Sequence, residues 1–117
     1  MREILFRGIK TETKGEWVYG YLLSDREKQS FYICEGIGSS GIEVYEHTVS
    51  QFTGLLDKHD QLIYEGDFLH IAGYYCEVKF IDGMFCSVYN HPEDGETLPL
   101  VDLSPERFEI IGNIYEN

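Results

Sequence analysis

The chain has 117 residues, and 43% of them are hydrophobic. With nine Tyr and seven Phe, this composition excludes an intrinsically disordered polypeptide. It carries 21 acidic and nine basic residues, and the formal net charge of -12 would repel nucleic-acid phosphates, which disfavours direct nucleic-acid binding. The negative charge either only keeps the protein soluble, or it attracts a basic protein surface or a cation as a partner. The length suffices for a core, so we expect a single domain over residues 1–117.

The cysteine content and the first residues indicate a reducing compartment. Cys34, Cys76 and Cys86 form an odd set without a CxxC pair, so the sequence indicates neither a disulfide framework nor a zinc knuckle. The N-terminus lacks the apolar core of a signal peptide, and no run approaches the ~18 apolar residues needed to span a bilayer. We therefore expect a cytoplasmic protein without a membrane partner.

The first two predicted strands form a hairpin. Residues 2–9 alternate loosely, with Ile4 and Phe6 on one face and Leu5 and Ile9 on the other. The run Trp17–Leu23 is rich in β-prone residues. By the period of two, Trp17, Tyr19 and Tyr21 lie on one face of the second strand. An aromatic row of this kind is either an exposed binding face or part of the core, and in a small domain the core is favoured.

A loop and a short strand follow this hairpin. Ser24–Ser30 is charged and has no apolar stripe, which predicts a loop, and Phe31–Cys34 predicts a strand. Gly36–Gly41 matches the dinucleotide-binding pattern GxGxxG, but that chemistry requires a helix after the glycines. Because Ile42–Tyr45 is β-prone and turn residues resume at Gly54, the sequence leaves no room for the helix. We interpret the glycines as a flexible loop and assign no cofactor.

The middle of the chain predicts two strands on either side of a tight turn. The polar residues Asp57–Asp60 form a short loop, in which a type I turn is followed by one left-handed residue, and Asp60 occupies that position. A sharp turn at Gly66 then leads into a strand at Asp67–Ile71.

A hairpin is predicted next. Cys76, Val78 and Phe80 alternate with charged residues, which predicts that these three face the core. Asp82-Gly83 favours a type I′ turn, because both positions need positive φ, and this turn sets Phe80 opposite Phe85.

The C-terminal part contains a loop, a helical turn and a final strand. Residues 90–97 are acidic, which predicts an exposed loop. The next short run contains Pro99, and a proline excludes this run from the centre of a sheet. Ser104–Arg107 has an N-cap serine and a proline at the first helical position, which predicts a single helical turn. The last strand is predicted at Phe108–Tyr115.

These elements predict an all-β fold, a compact barrel or sandwich with at most one or two short helical turns. The order of strand, hairpin, helical turn and strand over residues 62–117 is that of an SH3-like barrel. Residues 1–61 would add an N-terminal β layer, and no linker marks a firm boundary between the two parts.

Three blocks of sequence carry a family resemblance. MREILFRGI opens the chain, FTGL-x-DK-x-x-x-x-IYEGD spans residues 52–67, and EIIGNIYEN closes the chain at residues 109–117. These blocks resemble the YopX family of small phage and prophage proteins. The resemblance implies a phage or prophage origin and action inside the bacterial host cell, and it implies no catalytic residues.

Two acids in the central block are the best candidates for catalysis. Glu65 and Asp67 flank Gly66, and paired carboxylates can act as general acid and base when a cleft holds them in different environments. The competing interpretation is that Asp67 caps the turn by accepting backbone N–H bonds while Glu65 is solvated. Since the sequence indicates no substrate, we favour the turn and assign no catalytic residue.

Two loop clusters, one further histidine and two cysteines also carry side chains with potential chemistry. Two loop clusters could offer ligands to a cation, and they comprise Asp57, His59 and Asp60 in one loop and His91, Glu93 and Asp94 in the other. Neither has alternate oxygen ligands around a central Gly or a His-x-x-x-His pair, so no metal is assigned and cation binding stays open. His70 is interpreted as a half-buried edge residue. Cys76 and Cys86 are interpreted as small apolar fillers rather than nucleophiles.

The sequence as a whole favours a non-enzymatic protein–protein interaction module that forms a homo-oligomer and contacts a host or phage protein. Its acidity permits a narrower idea, a mimic of nucleic-acid charge that occupies a basic site on a host factor. The alternative is a small enzyme or ligand-binding domain that uses Glu65 and Asp67. Binding of double-stranded DNA is a third possibility, but the basic residues that could support it alternate with acids, as Arg2, Arg7, Lys10 and Lys14 alternate with Glu3, Glu12 and Glu16.

Overall fold

The structure is a computed structural model that describes residues 4–36, 38–71, 73–89, 97–100 and 107–116, with the backbone alone for residues 97–99. Within these residues the chain forms eleven strands and one 3-10 turn, which confirms the prediction of an all-β chain. The strands pair in two antiparallel sheets. Contacts divide the chain into two compact units, Met1–Phe52 and Thr53–Asn117, and the boundary falls within a strand. The expectations of a single domain and of a division after residue 61 stay predictions.

The elements of the N-terminal unit, Met1–Phe52, are β1 (Phe6–Ile9), β2 (Trp17–Asp25), β3 (Ser30–Cys34), β4 (Ile42–Val44), the 3-10 turn η1 (Glu46–Thr48) and the first residues of β5 (Ser50–Leu56). Those of the C-terminal unit, Thr53–Asn117, are the rest of β5, β6 (Leu62–Tyr64), β7 (Asp67–Ile71), β8 (Tyr74–Ile81), β9 (Met84–Tyr89), β10 (Thr97–Pro99) and β11 (Glu109–Asn113).

In the N-terminal unit the strands follow the order β4-β3-β2-β1-β5. The predicted hairpin of β1 and β2 is confirmed, with Ile9 opposite Trp17. The predicted loop after β2 is a tight turn, in which the Asp25 carboxylate accepts the backbone N–H groups of Glu27 and Lys28 at 3.0 and 3.3 Å. An Asp that accepts backbone N–H groups two and three residues on stabilises a turn, and this turn is shorter than the predicted loop because β2 extends to Asp25 and β3 begins at Ser30.

The core of the N-terminal unit lies on one face of this sheet. It consists of buried Val18, Ile33 and Val44 with partly buried neighbours around them. The prediction that the aromatic row of β2 belongs to the core is wrong, because Tyr19 and Tyr21 are each 50% exposed. A Cβ atom on Gly20 would lie 2.1 Å from the carbonyl oxygen of Cys34, so the backbone of β2 approaches the neighbouring strand too closely for a side chain at this position.

In the C-terminal unit the main sheet has the order β10-β9-β8-β7-β11. Its terminal strands β10 and β11 are not paired with each other in the described residues, so this sheet forms no closed barrel there and the SH3-like barrel is not confirmed. β10 ends at Pro99 and lies at the edge, as predicted. Residues 90–96 of the predicted acidic loop and 104–106 of the predicted helical turn lie outside the described residues.

The core of the C-terminal unit comprises buried apolar side chains from several strands, namely Ile63, Leu69, Ile71, Cys76, Val78, Leu100 and Phe108. The predicted hairpin turn is confirmed, with φ of 52° at Asp82 and 81° at Gly83. Phe80 lies opposite Phe85 with ring centroids 4.9 Å apart. Phe80 is nevertheless 51% exposed, so its predicted burial is wrong. Along β8, Cys76 and Val78 are buried, whereas Phe80 near the hairpin turn is exposed.

Two further predictions concern strand positions. After the glycine-rich loop the chain enters β4 at Ile42, which confirms that a strand and not a helix follows the glycines. His70 is half-buried as predicted, but β7 pairs with both β8 and β11, so His70 does not lie on an edge strand.

Candidate functional site

The two candidate catalytic acids do different things. Asp67 is 1% exposed, and its Oδ2 accepts the backbone N–H of Tyr64 at 2.8 Å, which confirms the predicted turn cap. Glu65 is half-buried and lines a groove of about 210 Å³ together with Lys79 and Tyr115, whereas Asp67 is not among the described residues that line it. The two carboxylates therefore do not form a pair across this groove.

The first candidate cation cluster is organised around backbone groups. Asp57 is 5% exposed, and its Oδ1 accepts the N–H groups of His59 and Gln61 at 2.8 and 2.9 Å. Its Oδ2 accepts the N–H of Ile110 at 3.1 Å. Asp60 has the predicted left-handed conformation, with φ of 62°. Both oxygens of Asp57 are engaged, so this carboxylate holds the loop on β11.

The electrostatics of this loop agree with that role. Burial raises the pKa of Asp57, but the N–H donors and the attraction to His59 outweigh burial, so the pKa lies below its ordinary value of 3.8. His59 Nε2 lies 3.6 Å from Glu109 Oε1, and Lys58 Nζ lies 3.3 Å from Glu109 Oε2. The hydrogen bond and charge of Lys58 lower the pKa of Glu109. His59 thus points to β11 and not to Asp60.

Across the described ranges, no group of three or more His, Cys, Asp and Glu side chains is arranged to hold a metal ion. The second candidate cluster, His91, Glu93 and Asp94, lies outside those ranges. Cation binding by this second cluster therefore stays open.

Cys76 and Cys86 are buried, as predicted for small apolar fillers. All three thiols are free, and Cys76 and Cys86 are 2% and 4% exposed. Burial raises the pKa of the Cys76 thiol to about 11. A thiol in this environment stays protonated near neutral pH, and it packs in the core instead of acting as a nucleophile.

The basic residues near the N-terminus do not form a free cationic face among the described residues. Arg7 is 5% exposed, and its guanidinium carbon lies 4.5 Å from the ring centroid of Trp17. Lys10 Nζ lies 3.1 Å from Glu16 Oε1. Arg2 is outside the described residues. Arg7 and Lys10 therefore each have a local contact that limits their availability to phosphate, whereas Lys14 is exposed.

The outer face of β2 is the candidate site that the structure brings forward. Tyr19 and Tyr21 are each 50% exposed and Leu23 is 54% exposed. We call the outward row of this strand the β2 aromatic face, and it consists of Trp17, Tyr19, Tyr21 and Leu23. The outer face of an antiparallel sheet is ordinarily polar, whereas this one carries three aromatic rings and a leucine. Exposed apolar side chains gathered in this way are typical of contact surfaces.

Neighbouring strands support this face from both sides. Leu23 lies opposite Tyr32 and Tyr21 opposite Cys34, both on β3 and both half-buried. On the other side, Arg7 of β1 lies opposite Tyr19 and stacks over Trp17. Aromatic and Arg side chains are the residue types that contribute most to protein–protein interfaces, and the stacked Arg holds the Trp ring in place.

The sequence alone does not show that this face is exposed. A period of two shows that Trp17, Tyr19 and Tyr21 share a face, but it does not show which face meets solvent. Gly20 lies on the opposite face with φ of 156°. A glycine inside a strand marks a close backbone approach, here to Cys34 of the neighbouring strand in the same sheet, so it does not identify the side that meets solvent.

The face also lies in the less charged part of the chain. The N-terminal unit contains eight acidic and six basic residues, whereas the C-terminal unit contains thirteen acidic and three basic residues. The N-terminal unit thus has a formal charge of -2 and the C-terminal unit one of -10. Contact through the β2 aromatic face therefore meets little electrostatic repulsion from its own unit.

None of the helical segments in the described ranges has the length and apolar character that a membrane crossing requires. No curated protein matches this sequence. The family model described as YopX protein matches residues 5–117, nearly the whole chain. This match includes most of the opening block and all of the central and closing blocks, and on this evidence the chain belongs to the YopX protein family.

Proposed function

We propose that this chain is a non-enzymatic protein–protein interaction module of a phage or prophage, and that it self-associates through the β2 aromatic face. The observation that carries the proposal is the exposure of 50%, 50% and 54% at Tyr19, Tyr21 and Leu23 in one row. Contact with a second surface removes this apolar row from water, which lowers the free energy of the system.

A second copy is the occupant that the charge distribution favours for this face. Two N-terminal units bring together only a small formal charge, -2 on each, while each highly acidic C-terminal unit repels another of its kind. Tyr and Trp rings pack against one another at low conformational cost, which suits a self-complementary contact.

The cellular setting is part of the same proposal. Membership of the YopX protein family supports a phage or prophage origin and action in the bacterial cytoplasm. The three free cysteines are consistent with a reducing compartment. The alternative, a small enzyme or ligand-binding domain using Glu65 and Asp67, has less support because Asp67 is committed to the backbone of its own turn.

The test is the solution mass of the protein, measured by light scattering over a range of concentrations. We expect a mass above that of one chain for the wild type and a mass closer to one chain for the double variant Tyr19→Thr/Tyr21→Thr. Thr keeps the β propensity of the strand while removing the rings, and circular dichroism checks the fold.

The matched control is Tyr74→Thr, which removes a ring that is 58% exposed in the C-terminal unit. This control should keep the wild-type mass. A wild-type protein that stays at the mass of one chain at every concentration would contradict self-association, as would an equal loss of mass in the control and the double variant.

A further inference from the structure

A groove on the main sheet of the C-terminal unit is not explained by the proposed function. It encloses about 330 Å³. The side chains that line it include Phe68, Tyr75, Glu77, Lys79, Val88 and Ile111. Tyr75, Ile111 and Phe68 are 62%, 49% and 37% exposed, so the walls are apolar and open to solvent. The groove is therefore a second apolar surface, distinct from the β2 aromatic face.

A single acid lies in the middle of these apolar walls. Glu77 of β8 is opposite Phe68 of β7 on one side and Val88 of β9 on the other. By the period of two, Tyr75 and Lys79 lie on the same face of β8 as Glu77. Glu77 is half-buried, and no hydrogen bond or ion pair with another described residue engages its carboxylate.

The surroundings of Glu77 determine which ligand chemistry is favourable. Lys79 is the one cation among the described lining residues, and it does not form an ion pair with Glu77. The unit as a whole carries a formal charge of -10, so its field attracts cations and repels a second copy of the same unit. A negatively charged ligand would meet both the carboxylate and this field.

A long side chain with an apolar stem and a cationic head can pack its stem on the apolar walls of the groove and pair its charge with the Glu77 carboxylate. The stem of an arginine packs on apolar surface while its guanidinium stays polar, and a guanidinium forms paired hydrogen bonds with a carboxylate. The aromatic rings of Phe68 and Tyr75 can also attract a cation through cation–π interactions. A lysine side chain has the positive charge and the apolar stem, but it lacks the planar guanidinium that forms paired hydrogen bonds with a carboxylate.

We propose that this groove is a docking site for an arginine side chain carried by a basic segment of a partner protein, with Glu77 as the residue that accepts the guanidinium. The inference rests on the proposed function in that it takes the chain to act through protein contact, and it adds the chemistry of the partner. Self-association uses the N-terminal unit and leaves the acidic unit to bind the basic partner.

The test uses a fluorescently labelled peptide of alternating Arg and Ala, with anisotropy as the readout. We expect the wild-type protein to bind this peptide more tightly than the Lys–Ala peptide of the same length. Glu77→Gln keeps the shape of the side chain and should weaken binding about tenfold, because one partner of a charge-assisted pair is lost. Ile111→Thr removes an apolar wall without changing the charge and should weaken binding as well.

The matched control is Asp82→Asn, which removes one charge from the same unit at the exposed hairpin turn, where Asn tolerates positive φ. It should change the affinity less than about twofold, because an exposed charge outside the groove is screened. Equal weakening by Glu77→Gln and Asp82→Asn would overturn the docking site, and so would a wild-type protein that does not bind the Arg–Ala peptide.

The two proposals fail separately when mass and affinity are measured on the same wild-type sample. A protein with the mass of one chain that still binds the peptide through Glu77 would contradict self-association and support the groove. An oligomer that does not bind the peptide would overturn the groove alone.

Discussion

Asp57 Oδ2 accepts the backbone N–H of Ile110 at 3.1 Å, so one carboxylate joins two segments that lie 53 positions apart in the chain. The backbone N–H of Lys58 donates to the carbonyl of Phe108 at 2.9 Å and reinforces this junction. β11 is the edge strand of its sheet, and these bonds satisfy backbone groups that would otherwise be open at the edge.

Asp57→Ala should lower the free energy of unfolding by about 3 kcal/mol, since it removes a charged acceptor that three backbone N–H groups share. Urea denaturation monitored by fluorescence measures the change. Asp60→Asn is the control, because Asp60 is exposed and Asn adopts the left-handed conformation readily. Similar losses in the two variants would contradict the role of Asp57.

The contribution of Asp57 should depend on pH in a defined direction. The pKa of Asp57 is lower in the folded chain than its ordinary value of 3.8, so the carboxylate stabilises the fold fully above that value. The stabilisation is lost as the pH falls through the folded-state pKa. The difference in unfolding free energy between the wild type and Asp57→Asn should be constant above about pH 5 and shrink below about pH 4. A difference that grows on acidification would have the wrong sign.

Gly20→Ala should destabilise the N-terminal unit by more than about 3 kcal/mol. The new Cβ would lie 2.1 Å from the carbonyl oxygen of Cys34, and φ at this position is 156°. Thermal denaturation followed by circular dichroism measures the loss. The matched control is Gly36→Ala, where nothing lies within 4 Å of the new Cβ and the stability should change by less than about 0.5 kcal/mol.

The thiols should react with iodoacetamide in a fixed order. Cys34 is half-buried, whereas Cys76 is 2% exposed and burial raises its pKa to about 11. At pH 8 the folded protein should be alkylated first at Cys34, and Cys76 should react only after unfolding. Peptide mapping by mass spectrometry identifies the modified positions. Rapid alkylation of Cys76 in the native protein would contradict its burial.

Asp60 tests the backbone conformation of the loop that Asp57 anchors. φ is 62° at Asp60, a value that costs a β-branched residue about 1–2 kcal/mol and costs Gly almost nothing. Asp60→Gly should leave the unfolding free energy within about 1 kcal/mol of the wild type, and Asp60→Val should lower it by about 2 kcal/mol. Equal effects of Gly and Val would exclude a left-handed residue here.

The features that could be predicted from sequence are those that depend on one or two residues. The left-handed position at Asp60, the hairpin at Asp82-Gly83 and the cap at Asp67 follow from the φ values and hydrogen bonds that short polar side chains and glycine allow. The rejection of the glycine motif also rested on local residues, because Ile42 and Val44 favour a strand over a helix.

The misplaced residues are those whose environment depends on distant parts of the chain. Phe80 follows the same alternation as Val78, yet Val78 is 0% exposed and Phe80 is 51% exposed. The edge position predicted for His70 was wrong because β11, far along the chain, pairs beside β7. For the candidate site, the sequence placed Tyr19 and Tyr21 on one face but assigned that face to the core.

The amino-acid sequence by itself determined the all-β class, the turns, the family and the alternation of side chains along each strand, because these depend on backbone conformation and on neighbouring residues. Only the tertiary structure decided which side of β2 meets solvent and that Glu77 lies between Phe68 and Val88. The physical reason is that burial and cross-strand pairing depend on which distant strand packs against a given face, and a local pattern is equally compatible with either face.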